Sequence, residues 1–142
     1  MAELTVNIEK TVNASIERAF DAWLNPKMLS KFMRGMPEMS ETEVEIDARE
    51  GGCFTFIMCL GEERIPHTGT YMEISRPDRL VFTWESQYSV VDNSTVTLHF
   101  TKINENTTKI SLSHVKFIDE EARSGHEGGW GCVLDNLKDI LS

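Results

Sequence analysis

Four histidines, three cysteines and a group of methionines and aromatics are the side chains of this 142-residue chain with chemistry beyond packing. His67, His99, His114 and His126 show no metal-ligand spacing. His126-Glu127 looks like the start of a zinc-protease helix, but Trp130 stands where the second histidine would be needed. Cys53, Cys59 and Cys132 include no Cys-x-x-Cys pair. The first two fall in one strand-like run, roughly 20 Å apart at about 3.3 Å per residue, beyond disulfide reach. All three are expected to be reduced and mostly buried. There is no phosphate loop, dinucleotide fingerprint or nucleophile elbow, so neither cofactor nor metal is expected.

General acid–base work would need His114 or His126 within reach of a carboxylate such as Glu85 or Glu127. Strand alternation puts Glu85 opposite Trp84, toward solvent, so binding is expected ahead of catalysis. The binding candidates form an apolar set. Trp84 and His114 sit on core-patterned strand faces, and His126 and Trp130, four apart, share a helix face. Phe32, Met33, Met36 and Met39 would gather near a mouth, where flexible thioethers suit a plastic apolar wall. Phe54, Phe56 and Met58 would be core or wall. Each of these residues also has a plain reading as core filler. A neutral imidazole both donates and accepts, which makes His114 the first choice for orienting a ligand and His126 the second.

The elements that must position these residues follow from periodicity. Thr5 to Val12 alternates as a half-buried strand. Ser15 can cap a helix from Ile16 to Trp23, and Asn25-Pro26 stops it and starts another through about Met33. Six further strands follow: Glu43–Ala48, Cys53–Leu60, His67–Ile74, Leu80–Glu85, Ser94–Ile103 and Thr108–Lys116. Gly51-Gly52, Gly61-Glu62-Glu63, Arg76-Pro77-Asp78 and Asn104-Glu105-Asn106 mark turns between them. From Asp119 to Leu141 the spacing is helical, with Gly125, Gly128, Gly129 and Gly131 crowding the first half. These glycines imply either a frayed, kinked start or close approach to the sheet or a ligand. Seven antiparallel strands need a cover for their apolar face, and only the long helix is large enough. The expected class is α+β: a curved sheet around a C-terminal helix, two short helices after the first strand, and a cavity between sheet and helix.

The length suits a single domain, 1–142. Lys and Arg number 14 against 23 Asp and Glu, a net charge of −9. That sign argues against nucleic acid and against anionic membranes. No apolar run approaches the ~20 residues that span a bilayer, and Met1 to Lys10 is no signal peptide. A cytoplasmic location is expected. The Asn-x-Ser/Thr matches at Asn13, Asn93 and Asn106 then read as turn and capping chemistry.

The chain resembles bacterial proteins of the activator of heat-shock-protein-90 ATPase homologue-like family, C-terminal-domain type. That family belongs to the START-like (SRPBCC) superfamily with its helix-grip, birch-pollen-allergen-like fold. The resemblance is carried by Ala14 to Trp23 (ASIERAFDAW), Asn25-Pro26, Arg49 to Phe54 (REGGCF) and Gly69 to Ile74 (GTYMEI). It continues in Arg76 to Trp84 (RPDRLVFTW), Ser94 to Leu98, Thr107 to His114, Gly129-Trp130 and Leu134 to Leu137. These are fold motifs taken in order nearly end to end, not catalytic ones. The resemblance implies a small apolar or amphipathic molecule held in the cavity. It implies, as alternatives, a chaperone-accessory role in stress or a cyclase- or hydratase-like activity. Eukaryotic activators carry a separate N-terminal chaperone-binding domain, whereas this sequence opens on its first strand, which ranks the chaperone role second.

Overall fold

The computed structural model describes residues 5–86, 94–115 and 120–141. Strand β1 (Thr5–Val12) precedes α1 (Ile16–Asp21), a 3-10 turn (Ala22–Leu24) and α2 (Pro26–Phe32). Next come β2 (Ser40–Ile46), β3 (Cys53–Leu60), β4 (Glu63–Ser75), β5 (Arg79–Thr83) and the two-residue β6 (Glu85–Ser86). Strands β7 (Thr95–Asn104) and β8 (Thr107–Val115) lead to the long helix α3 (Glu120–Leu141). The strand end expected at Lys116, the helix start at Asp119 and the Asn93 turn lie outside the described residues. Pairing is antiparallel throughout in the order β1-β8-β7-β5-β4-β3-β2, with β6 on β4. This is the helix-grip arrangement.

Local chemistry explains the helix boundaries. Ser15 Oγ accepts from Arg18 N at 3.3 Å, and Asn25 Oδ1 accepts from Lys27 N and Met28 N at 2.9 and 3.2 Å. Both caps satisfy amides that no helical carbonyl can reach. The single helix expected over Ile16–Trp23 tightens to a 3-10 turn from Ala22, which brings Asn25 round to cap the next one.

Strand β4 gives the sheet its curl. Its first part pairs β3 from Glu63 to Thr70, its last part pairs β5, and the register slips between Tyr71 and Glu73. Such a slip bends and twists a strand. The strand starts four residues before the expected His67 because Gly61-Glu62 alone makes the turn, with Gly61 at φ 61° and Leu60 paired to Glu63. At Gly69 a Cβ would lie 2.0 Å from the Thr83 carbonyl oxygen and 2.5 Å from the Phe54 ring. Only a bare backbone fits between them. Arg76 clamps the β4–β5 turn to α1 through a two-pronged pair with Asp21, at 2.8 and 2.9 Å.

Alternation sorts the side chains as expected. Leu80, Phe82 and Trp84, Val96, Leu98 and Phe100, and Ile110, Leu112 and His114 all face the buried side, where α3 meets them with Trp130, Val133, Leu134 and Leu137. The expectation of mostly buried cysteines is corrected. Cys53 is exposed, Cys59 and Cys132 are half-buried, and all three are free. On β3 the inner face goes to Phe54, Phe56 and Met58, so parity sends Cys53 and Cys59 outward.

Candidate functional site

A cavity of about 570 Å³ opens between the first half of α3, the loop after α2 and the inner face of β3, β4 and Trp84. Its strand wall consists of Met58, Leu60, Ile65, His67 and Trp84; its loop wall consists of Gly35, Met36 and Met39, with Glu63 at the start of β4. Helix α3 contributes Glu121, Gly125, His126, Gly129, Trp130 and Val133. Exposed Met36, Glu63, Glu121 and Gly125 mark the mouth, whereas buried Met39, Met58, Ile65, His67, Trp84, Trp130 and Val133 mark the interior.

The helix glycines explain why space remains here. α3 is continuous over its 22 residues, so they fray nothing. Gly125 and Gly129, four apart, lie on the cavity stripe, and a Cβ at Gly125 would meet no atom within 4 Å. The close approach is Gly129 against the loop, where a Cβ on Gly35 would lie 3.7 Å from the Gly129 Cα. The missing side chains leave the volume unfilled, and the glycine contact lets the loop close one flank.

Behind the cavity lies a polar lock. The Trp130 indole N–H donates to His114 Nδ1 at 2.9 Å, and His114 Nε2 lies 2.6 Å from Ser94 Oγ. An indole nitrogen can only donate, so Nδ1 is the acceptor and the imidazole proton sits on Nε2, facing the serine. Burial, with His126 close by, pulls the His114 pKa down to about 3. The His126 ring meets His114 edge-on at 5.2 Å. Trp130 is thereby held against Trp84, ring centres 4.7 Å apart. On the opposite wall His67 stacks at 5.0 Å on Trp84. Burial lowers its pKa to about 4, against the pull of the Phe56 and Ile65 backbone carbonyls.

Among the sequence-selected residues, Trp84, His126, Trp130, Met36 and Met39 line this cavity. Three lie elsewhere. His114 is fully buried beneath Trp130. Phe32 and Met33, expected at the mouth, are fully buried core: Phe32 packs edge-on to Trp23 at 5.1 Å, and Met33 faces Leu29, Phe54, Phe56 and Tyr71. The reason is that the last residue of α2 and its C-cap are both buried, and the chain reaches the surface only at Met36. His67, Ile65, Glu63 and Glu121 were missed. Extending the Ile65, His67, Gly69, Tyr71 alternation backwards along β4 would have found the first two.

An acid–base pair is not assembled around the named carboxylates. Glu85 is exposed, as its parity implies, and Glu127 binds Arg123 at 3.0 Å on the outer side of α3. Among the described residues no three His, Cys, Asp or Glu side chains are grouped to hold a metal. Nor is any helix there long and apolar enough to cross a membrane.

Known proteins place the chain. A search of curated proteins finds no match. Solved structures superpose along almost the whole chain. A Chromobacterium violaceum protein matches with TM-score 0.83 at 18% identity, covering 96% of each chain. An AHSA1-like protein from Aeromonas hydrophila matches at 0.82 and 22% identity, covering 96% of this chain and 91% of its own. CalU16 from Micromonospora echinospora matches at 0.73 and 22% identity, covering 97% and 76%. At these identities they establish the fold. The family model "Activator of Hsp90 ATPase homolog 1-like protein" matches residues 13–142, and the chain belongs to that family.

Proposed function

We propose that this protein binds an apolar or amphipathic small molecule between the sheet and α3 and catalyses nothing by itself. The observation that carries this reading is the cavity: about 570 Å³, within the range of small-molecule sites, with an aromatic and thioether interior and few polar groups. His114 serves it indirectly by fixing the tilt of Trp130, while His67 and His126 are the imidazoles on the wall.

The test is titration of an environment-sensitive apolar dye into the wild type and Gly125→Leu. Leucine at 125 extends into open space at the mouth and improves helix propensity, so binding should fall at least about tenfold with no loss of thermal stability. A wild type that leaves the dye unchanged would overturn the reading. Chaperone-accessory work is the second reading and rests on family membership. The large exposed apolar residues found among those described are Met36 in the loop after α2, Met72 on β4 and Ile103 on β7, and apolar residues scattered singly in this way do not favour it.

A further inference from the structure

We propose that the preferred occupant of this cavity is an amphipathic organic cation, its apolar body against Trp84 and Trp130 and its ammonium group at the mouth beside Glu63 and Glu121. The inference rests on the binding reading above and names the ligand class for the same site. Glu63 and Glu121 are the carboxylates of the lining, which contains no Lys or Arg. Arg34, Arg64 and Arg123, on the neighbouring elements, are turned to other partners: the Lys31 and Met39 carbonyls, Glu43, and the Glu120–Glu127 pair. Neither mouth carboxylate forms an ion pair among the described residues. A fatty carboxylate seated here would put its charge against two like charges, within a protein of net charge −9.

The interior wall suits a ligand of mixed character. The tilted Trp84–Trp130 pair presents indole surface to the interior, and indole faces attract cations and apolar groups alike. His67 stacks on Trp84 and extends this aromatic wall, and neither residue brings a formal charge into the interior at neutral pH.

Decyltrimethylammonium, decanol and decanoate, each kept below micelle formation, would be titrated at about pH 8, where ordinary histidines are neutral. Tryptophan fluorescence reads occupancy. The cation should bind tightest and decanoate weakest, with about tenfold or more between them at low salt. Glu63→Gln with Glu121→Gln should bring that ratio close to one while leaving decanol unchanged. The distant pair Glu45→Gln with Glu105→Gln should keep it. Decanoate binding as well as the cation, or the distant pair abolishing the preference equally, would overturn the charge inference and leave the cavity reading standing on decanol. Failure of all three probes would overturn both.

Discussion

His114 is a neutral, fully buried imidazole with a polar neighbour at each ring nitrogen. His114 accepts from Trp130 and faces Ser94, so a second ring proton would meet an N–H donor with no water to relieve it. Stability should therefore depend on pH in a definite direction. Above about pH 6.5 both His114 and His67 are neutral, folded or unfolded. Below that value the unfolded chain takes up protons that the folded chain refuses until about 3 at His114 and about 4 at His67. The unfolded state thus binds more protons, and stability falls with acidification by about 1.4 kcal/mol per pH unit for each histidine. Urea midpoints followed from pH 7 to about pH 4.5 should show this slope, and His67→Gln should reduce it by one proton whatever its effect on absolute stability. Trp84 belongs to the same scale. It packs on Phe54, Phe56, Phe82 and Trp130 and is 2% exposed, so Trp84→Ala should destabilise by about 3–5 kcal/mol. A loss below about 1 kcal/mol in chemical denaturation would mean the ring is not core.

Among the elements, β4 and α3 use glycine for opposite purposes. On β4, Gly69 exists because Thr83 and Phe54 leave no room for a side chain. Gly69→Ala should cost about 3 kcal/mol, the upper end of overpacking costs, since the obstacle includes rigid backbone, or else force β4 and β5 apart. On α3, Gly128 faces outward and nothing lies within 4 Å of its absent Cβ. Gly128→Ala should raise stability by up to about 1 kcal/mol, read as a higher melting temperature. The contrast with Gly125→Leu is informative, because that residue lines the cavity. There, improved helix propensity should come with lost binding. The first half of α3 is glycine-rich where it borders space, and the second half is apolar where Val133, Leu134 and Leu137 are buried.

For the whole molecule, surface chemistry follows from which face of each element was left outside. Thiol counting in denaturant without reductant should find three free groups, and finding one would mean a disulfide. In the folded protein exposed Cys53 should react first. Cys132 should lag, because burial raises its thiol pKa and lowers its thiolate fraction. Different elements are joined by side-chain hydrogen bonds: Arg76 to Asp21, Trp130 to His114, and Asn136 to the Phe32 and Arg34 carbonyls. The last of these ties α3 to the loop that closes the cavity, so site and fold are stabilised together.

How much of this could be read from the sequence depended on the range of the interaction involved. Strand faces such as Leu80-Phe82-Trp84, the Ser15 and Asn25 caps and the long amphipathic helix rest on periodicity and short-range hydrogen bonding, and the amino-acid order alone determined them. So too did the outward side of Glu85, a matter of strand parity. The contents of the cavity were different. Phe32 and Met33 sit in core and Met36 at the mouth because of where one loop turns between α2 and β2, which no spacing rule encodes. His67 became a wall residue and His114 a support because the curl of β4 brings its inner face round to α3, while Trp130 covers β8. Local order set which side of each element is apolar; only the packing of sheet on helix decided which of those apolar sides meet and where they leave a gap.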